Sequence, residues 1–230
     1  MPDRETWFYL PCASQSAAEN MAWDETLLES APRIARPVLR FYGWREPAAS
    51  FGYFQQYAQV ADLNSLRPLI RRPTGGGLVP HERDWTYALV FPAGHPWYGY
   101  RARQSYAEVH RWVQSSLRQL GLETQLAAAA RSADTRQCFA GAVCDDLLWH
   151  GAKIAGAAQR RTRAGLLIQG SVQPPRAVMP RADWEAAMRE AARSACGVQW
   201  ERWEPDAPFL NCARRLATEK YSQTAYNARR

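Results

Sequence analysis

The order of strand-like and helix-like segments limits the fold of this chain more than any other feature of its sequence. Apolar runs typical of β-strands occur at residues 38–42, 69–72, 86–91, 147–149, 154–158 and 166–169. The last two runs flank a polar turn and predict a β-hairpin. Helical patterns cover residues 16–32, 105–121 and 184–197, without a strict alternation of helix and strand. This order predicts an α/β fold of the α+β type, in which helices flank a mixed, largely antiparallel sheet.

Polar residues mark the ends of the first two helices. Ser16 and Glu19 have the spacing of a capping box at the start of the first helix, and Ser105 and Glu108 have it at the start of the second. Pro32 predicts the end of the first helix.

Length and composition predict one folded unit. The chain has 230 residues, 47% of them hydrophobic, which is enough to bury a large core. We predict a single domain over residues 1–230, with a mostly helical C-terminal appendage from about residue 180. No apolar run approaches the ~18 residues that would cross a bilayer, and the first residues lack the basic and then apolar order of a signal peptide. We therefore expect a cytoplasmic protein without a membrane partner.

The ionisable residues exclude several classes of function. The five cysteines form no CxxC pair and the four histidines have no ligand spacing, so we expect reduced thiols and no metal site. The net charge of +7 is spread over short clusters, which suits an acidic partner protein. No aromatic and basic motif for nucleic-acid binding is present, and we expect no nucleic-acid partner.

Three consecutive glycines follow a predicted strand in the segment Arg-Arg-Pro-Thr-Gly-Gly-Gly-Leu-Val-Pro-His, residues 71–81. Such a run is costly in chain entropy unless the backbone must turn sharply or approach something closely. The pattern is neither GxxxxGK[ST] nor GxGxxG, so the common nucleotide motifs are excluded. The bare N–H groups could hold carboxylate or phosphate oxygens, with Arg72 supplying charge. A simple turn between two strands is the alternative interpretation.

Lysine is rare in this chain. Of 29 basic residues only Lys153 and Lys220 are lysine. Lys153 begins a strand of small residues, with Gly151 and Gly156 on either side, which leaves room beside its ammonium group. A mobile positive charge there could stabilise negative charge that develops on a carbonyl oxygen. A surface lysine at the start of a strand is the alternative.

Together these segments resemble the lipoate/biotin protein ligase and octanoyltransferase superfamily. The similarity rests on Arg-Arg-x-Thr-Gly-Gly-Gly-x-Val-x-His at 71–81, Gly-x-Lys-Ile-Ala-Gly-x-Ala-Gln at 151–159 and Asn-Met-Ala-x-Asp at 20–24. It covers about residues 5–175. The resemblance implies a catalytic domain like those of class II aminoacyl-tRNA synthetases and biotin ligases.

The resemblance also implies roles for individual residues. Lys153 would contact the activated acyl carbonyl. The residues that would bind the acyl or lipoyl group are Arg72, Thr74, Gly75, Gly76, Gly77 and His81 in the glycine segment, and Ile154, Ala155, Gly156 and Ala157 on the lysine strand.

Cys138 indicates the branch of the superfamily. In the cysteine-dependent octanoyltransferases that this chain resembles, a Cys-Phe pair stands fifteen residues before the lysine, and Cys138 has that offset from Lys153 (153 − 138 = 15). The resemblance implies transfer of an octanoyl or lipoyl group from an acyl carrier protein thioester, through a Cys138 acyl-enzyme, to a lysine of a lipoyl-domain protein. This reaction would need no cofactor.

Two alternatives stay open. An ATP-dependent lipoate-protein ligase would use ATP and Mg to form an acyl-adenylate, with Cys138 only structural. The two-domain ligases that resemble this chain continue into an accessory domain, for which 230 residues leave no space. A non-catalytic binder of lipoylated partners is the second alternative, because Gln169 stands where the family usually has histidine. Asp145 also replaces the asparagine of the ligases' Asn-Asp pair, which leaves a role in metal or phosphate binding open.

Overall fold

The computed structural model describes residues 5–130, 136–175 and 179–229. Its strands are β1 (Thr6–Gln15), β2 (Val38–Trp44), β3 (Ala48–Phe51), β4 (Leu69–Arg71), β5 (Val79–His81), β6 (Trp85–Pro92), β7 (Gln125–Leu126), β8 (Leu147–Trp149), β9 (Ala152–Arg161), β10 (Gly165–Val172) and β11 (Gln199–Arg202). Its helices are α1 (Ala17–Ile34), α2 (Tyr57–Ala61), α3 (Pro96–Gly99), α4 (Ala102–Gln119), α5 (Arg181–Cys196), α6 (Ala207–Leu216) and α7 (Thr224–Asn227), and a π-helical turn (Ala217–Tyr221) follows α6.

The strands form one large and one small sheet. The large sheet has the order β11-β1-β2-β6-β10-β9-β8-β7, and the small sheet has the order β4-β3-β5. β1 runs parallel to both β11 and β2, and every other neighbouring pair in the large sheet is antiparallel. The predicted mixed, largely antiparallel sheet with flanking helices is therefore confirmed. The predicted hairpin is also confirmed, because β9 and β10 pair from Arg161 and Leu166 outwards.

The large sheet is covered on both faces, and strand β6 shows how its residues divide between them. Side chains alternate along a strand. Tyr87, Leu89 and Phe91 enter a core cluster with residues of α4 and α5, whereas Ala88 and Val90 enter a second cluster with residues of α1. The small sheet lies on the α1 side, where Ala48 and Ile70 join that second cluster. The space between the two sheets therefore lies on the α1 side.

The helix ends agree only in part with the sequence analysis. Ser16 caps α1 through the predicted capping box, but Pro32 lies within the helix, which continues to Ile34. The predicted capping box at Ser105 is wrong, because α4 already begins at Ala102 and good helix-forming residues precede the serine. The Ser105 hydroxyl donates to backbone oxygens inside the helix instead. Over the described ranges, no helix is both long enough and apolar enough to traverse a bilayer.

The C-terminal segment packs against the rest of the chain in several places. α5 packs on α4, and α6 packs on α1. β11, which the sequence analysis does not predict, extends the large sheet beside β1. The side-chain oxygen of Asn227 accepts a hydrogen bond from the Arg71 backbone N–H at 2.8 Å, which ties the end of the chain to the start of the glycine segment. The single domain with a C-terminal appendage stays a prediction.

We predict that Gly170→Ala destabilises the fold. Gly170 pairs with Tyr87 across β10 and β6, and a methyl group at Gly170 would lie 2.1 Å from Cζ of the buried tyrosine ring. Because the ring is held in a packed core, we expect the free energy of unfolding to fall by about 1–3 kcal/mol. Gly99→Ala is the control, since no atom lies within 4 Å of its added methyl group. Urea unfolding measures both, and equal midpoints for the two variants would contradict the prediction.

Candidate active site

A slot of about 420 Å³, mouth included, lies between the two sheets on the α1 side. Its walls are formed by Met21, Tyr42, Trp44, Ser50, Arg72, Gly76, Val79, His81, Thr86, Cys138, Gly156, Ala157, Ala158, Gln169, Gly170 and Ser171. The glycine segment and the lysine strand therefore face the same space.

Arg72 shapes the glycine segment from inside. Its guanidinium donates hydrogen bonds to the carbonyl oxygens of Gly75, Gly77 and Ser50. Gly76 has φ +84°, and a methyl group there would lie 2.8 Å from an Arg72 Nη atom. Glycine is thus required both by the backbone conformation and by the space that the arginine takes. Burial lowers the pKa of Arg72 to about 10, so the group stays charged at neutral pH.

A chain of buried hydrogen bonds joins the glycine segment to helix α1. The Thr74 hydroxyl donates to Gln169 Oε1 at 2.7 Å, and Gln169 Nε2 donates to Asp24 Oδ2, also at 2.7 Å. Gln169, where the resemblance implies a histidine, therefore supplies a polar wall rather than leaving a gap. Burial raises the pKa of Asp24, although Arg40 and the hydrogen bonds act in the opposite direction.

His81 is fixed between a hydroxyl and a carboxylate. Its Nε2 lies 2.7 Å from Ser50 Oγ, and its Nδ1 lies 2.8 Å from Asp84 Oδ2. Burial alone would raise the pKa of Asp84, but His81 and hydrogen bonds that include the Ser171 hydroxyl outweigh it, and the pKa is lowered. The Trp44 indole stacks on the His81 ring with centroids 3.8 Å apart. The imidazole is thus held on three sides.

Cys138 and Lys153 lie together beside the slot. Lys153 Nζ is 3.4 Å from Cys138 Sγ. The backbone N–H of Cys138 donates to the Leu78 carbonyl at 2.9 Å, so the residue after the triple glycine positions the thiol. A methyl group at Gly156 would lie 2.8 Å from Lys153 Cε and 3.4 Å from Cys138 Sγ. The absence of a side chain at Gly156 therefore makes room for the pair.

Asp146 anchors the lysine from the other side. Its Oδ2 lies 2.8 Å from Lys153 Nζ and also accepts the Val143 backbone N–H at 2.7 Å. Its Oδ1 accepts a hydrogen bond from the Tyr106 hydroxyl of α4. Because Asp146 is fully buried and its partners are fixed, the ammonium group has a defined position between carboxylate and sulfur.

The structure brings most of the predicted site residues together. Six of them line the slot, namely Arg72, Gly76, His81, Cys138, Gly156 and Ala157. Gly75, Gly77 and Lys153 lie directly behind these and contact Arg72 or Cys138. Thr74 contacts Gln169, which also lines the slot. Ile154 and Ala155 are not at the slot and belong to the core cluster on the opposite face. The β8–β9 register shifts there: Leu148 pairs with Lys153 and Leu147 with Ala155, which leaves Ile154 as an extra residue.

Several residues of the site were not predicted from the sequence. Asp84 follows His81 by three residues, a spacing that could have suggested a histidine–carboxylate pair. Trp44, Tyr106 and the anchoring role of Asp146 depend on tertiary contacts and leave no local signal. In the ranges that the structure covers, no group of three or more His, Cys, Asp or Glu side chains could hold a metal ion.

We predict that Gly156→Ala slows alkylation of Cys138. The added methyl group would push Lys153 away from the thiol and remove a cation that attracts the thiolate. An attraction of about 1 kcal/mol at this range corresponds to about a fivefold lower rate with iodoacetamide. Fragment-ion mass spectrometry of the peptide distinguishes Cys138 from Cys144. Gly94→Ala, with no atom within 4 Å of its methyl group, is the control. An unchanged Cys138 rate in Gly156→Ala would refute this prediction.

Acid should destabilise the chain through His110, which is fully buried on α4. Burial lowers its pKa from 6.5 to about 4, against the attraction of Asp146. Between these pH values the unfolded chain binds a proton that the folded chain does not bind, so stability is full above pH 6.5 and is lost down to about pH 4. We expect a loss of about 3 kcal/mol over this range that His110→Gln does not show. Urea unfolding at several pH values measures it, and parallel curves for the two proteins would contradict it.

Known proteins match this chain in sequence and in structure. The model of the lipoyl protein ligase A/B catalytic domain matches residues 16–173. The octanoyltransferase LipM of Carboxydothermus hydrogenoformans is 37% identical over 174 residues, which cover 73% of this chain and 65% of that protein. The octanoyltransferase LipM of Anoxybacillus flavithermus is 32% identical over 184 residues, which cover 74% of this chain and 66% of that protein. The chain thus spans just under two thirds of the length of these relatives.

A solved structure with the same fold is that of lipoate-protein ligase A bound with ATP. It superposes with a TM-score of 0.76 and 19% identity, over 97% of this chain and 98% of that one. At this identity the likeness supports the fold alone, whereas the family model covers more than half of the sequence. The chain therefore belongs to the lipoyl protein ligase A/B catalytic domain family.

Proposed function

We propose that this chain is an acyltransferase that moves an octanoyl or lipoyl group from an acyl carrier protein thioester to a lysine of a lipoyl-domain protein. Its relatives at 32–37% identity are octanoyltransferases by name, which supports the acyl group and the reaction. The observation that carries the proposal is the Cys138–Lys153 pair, with 3.4 Å between sulfur and nitrogen, beside a narrow slot. A thiol next to a fixed cation at the wall of a slot suits covalent transfer.

In the first step, the Cys138 thiolate attacks the thioester carbonyl carbon of the donor. A new carbon–sulfur bond forms, and the bond to the carrier sulfur breaks. The carrier leaves as a thiol after it takes up one proton. Lys153 lies close enough to the reacting sulfur to stabilise the negative charge on the carbonyl oxygen of the tetrahedral intermediate.

In the second step, the neutral amine of the acceptor lysine attacks the Cys138 thioester. The amide bond forms, the carbon–sulfur bond breaks, and the proton lost by the amine restores the Cys138 thiol. The two steps exchange a thioester for an amide and need no nucleotide or metal. Asp146 takes part only by holding Lys153 in place at 2.8 Å.

The other predicted residues at the slot would shape the acyl site. Gly76, Gly156 and Ala157 would present backbone atoms and small apolar surfaces to the acyl chain. Internal hydrogen bonds are made by Arg72, Thr74, Gly75 and Gly77. These residues would therefore hold the glycine segment at a fixed distance from the large sheet. Both ring nitrogens of His81 already have hydrogen-bond partners, Ser50 and Asp84. The fixed imidazole ring would therefore close the slot as part of its wall.

We predict that Cys138 becomes acylated. Incubation with octanoyl carrier protein, without ATP and without an acceptor, should add one octanoyl group that hydroxylamine removes. Addition of an apo lipoyl domain should then transfer the group to its lysine. Because Cys138→Ala lacks the nucleophile, its transfer rate should fall by at least about a thousandfold. Intact-mass spectrometry follows both steps.

Cys144→Ala provides the matched control, because Cys144 stands six residues further along and contacts Arg103 instead of Lys153. The Cys144→Ala variant should be acylated in the same way as the native chain. Modification of the lipoyl domain only with free acid and ATP would replace the transferase by a ligase. No turnover from either donor would favour a protein that binds lipoylated partners without catalysis.

A further inference from the structure

A serine, a histidine and a carboxylate are linked in series at the slot. Ser50 Oγ lies 2.7 Å from His81 Nε2, and His81 Nδ1 lies 2.8 Å from Asp84 Oδ2. Ser50 and His81 both line the slot. Serine on Nε2 and carboxylate on Nδ1 is the arrangement of the Ser-His-Asp triad of hydrolases, which is recognised by geometry and not by sequence position. The proposed transfer through Cys138 uses His81 only as part of the wall and gives Ser50 no part.

The small sheet places the serine beside the histidine. β3 and β5 run antiparallel, and Ala48 pairs with His81 while Ser50 pairs with Val79. Residues two apart on a strand point to the same face, so Ser50 and His81 are diagonal neighbours on one face of the small sheet. Asp84 follows His81 by three residues, just before β6 begins. The first two members of the series are therefore held by paired strands.

The Asp84 carboxylate fixes the state of the imidazole. Its Oδ2 also accepts hydrogen bonds from the Ser171 hydroxyl at 2.8 Å and from the Thr86 hydroxyl at 3.0 Å. Burial raises the pKa of Asp84, but His81 and these hydroxyls lower it overall, so the carboxylate is ionised at neutral pH. An ionised carboxylate only accepts hydrogen bonds, and Nδ1 must therefore carry the proton between them. In the neutral imidazole, Nε2 is then a proton acceptor that faces Ser50.

Arg72 approaches the same serine from another direction. Its Nη1 donates to Ser50 Oγ at 3.3 Å and to the Ser50 carbonyl oxygen at 3.2 Å. Because a guanidinium has no acceptor, the serine must direct its own proton elsewhere, and His81 Nε2 is within hydrogen-bond distance. The cation also lies where negative charge develops when that proton leaves. The hydroxyl thus has a base and a positive charge beside it.

We propose that Ser50, His81 and Asp84 form a second catalytic centre, which hydrolyses carboxylic esters and thioesters whose acyl group enters the slot. Ser50 is only 2% exposed and lines the slot, so a substrate would reach its hydroxyl through that space. The inference goes beyond the proposed function, because its nucleophile is an oxygen and its acceptor is water. It does not require Cys138.

The reaction has two steps. Ser50 Oγ attacks the acyl carbonyl carbon and gives its proton to His81 Nε2. The bond to the leaving alcohol or thiol breaks, and His81 passes the proton to that group. Water then attacks the acyl-serine ester, and His81 takes a proton from the water and returns it to Ser50 Oγ. The products are a free carboxylic acid and an alcohol or thiol, and no oxidant or cofactor is consumed.

An octyl fluorophosphonate tests the serine directly, because such probes phosphonylate a serine that a histidine activates. The native chain and Cys138→Ala should each gain one group with loss of fluoride, and fragment-ion mass spectrometry should place it on Ser50. Ser171 lines the same slot but donates to Asp84 instead of a histidine, and it should stay unlabelled. In Asp84→Asn the amide can donate to Nδ1 and leave the proton on Nε2, so labelling should slow by at least about a hundredfold.

Release of p-nitrophenolate from p-nitrophenyl octanoate measures hydrolysis. The assay uses Cys138→Ala, so that no acyl group is held on that sulfur. Addition of Ser50→Ala should lower kcat/KM by at least about a hundredfold. Ser116→Ala is the matched control, because this serine is equally buried but lies on α4, where it donates to the Val113 carbonyl, and kcat/KM should not change. Circular dichroism checks that each variant folds, and labelling of the native chain carries the test if Ser50→Ala does not.

Three results would overturn the inference: a Ser50 that the probe does not label, an equal labelling rate in folded Asp84→Asn, or equal hydrolysis with folded Ser50→Ala. Each of them leaves the proposed transfer through Cys138 intact. Labelling and hydrolysis that both depend on Ser50 would support the inference. The same results in a chain whose Cys138 no carrier thioester acylates would support the inference and overturn the proposed function.

Discussion

Asp24 is buried on α1, and its carboxylate connects three parts of the fold. One oxygen pairs with Arg40 on β2, and the other accepts hydrogen bonds from the Tyr42 hydroxyl and from Gln169 on β10. Gln169 in turn accepts a hydrogen bond from Thr74 in the glycine segment. Loss of one partner would leave a charge or a polar group buried without compensation, so the helix, the sheet and the glycine segment keep fixed relative positions. The width of the slot depends on this network, because it sets the distance between the glycine segment and the floor of the sheet.

Glycines on both walls let charged groups approach the slot closely. Arg72 lies behind Gly76, and Lys153 lies behind Gly156, and a methyl group on either glycine would come within 2.8 Å of its charged neighbour's side chain. Arg72 therefore borders the space itself, and Lys153 lies just outside it. Such an arrangement binds an apolar chain and still offers positive charge where a carbonyl oxygen becomes negative, because fixed charges in a site of low polarity act strongly. In the proposed reaction, the rate would depend on Lys153 and the selectivity on the walls.

The sequence allowed the main parts of this site to be predicted because its motifs are tied to strand ends. The glycine segment follows β4, and Lys153 lies at the start of β9, so a correct order of strands brings them to one space. Side-chain direction on β9 was not predictable. A bulge at Ile154 turns that residue into the core, and no residue pattern marks it. Gln169 could be identified from the sequence only as a missing histidine, since its two hydrogen-bond partners come from distant parts of the chain.

The rarity of lysine now has a structural explanation. Lys153 reaches Asp146, which is fully buried, and Lys220 reaches Glu25, which is nearly so. In each case a compact ammonium group contacts a carboxylate that also accepts a hydrogen bond from a tyrosine hydroxyl. At Lys153, a planar guanidinium with five donors would need more acceptors than Asp146 and Cys138 offer. Lys153 also lies against Gly156, where even a methyl group would come within 2.8 Å of its Cε atom. Arginine serves elsewhere in the chain, and lysine occurs where one small charge must fit between a carboxylate and another group.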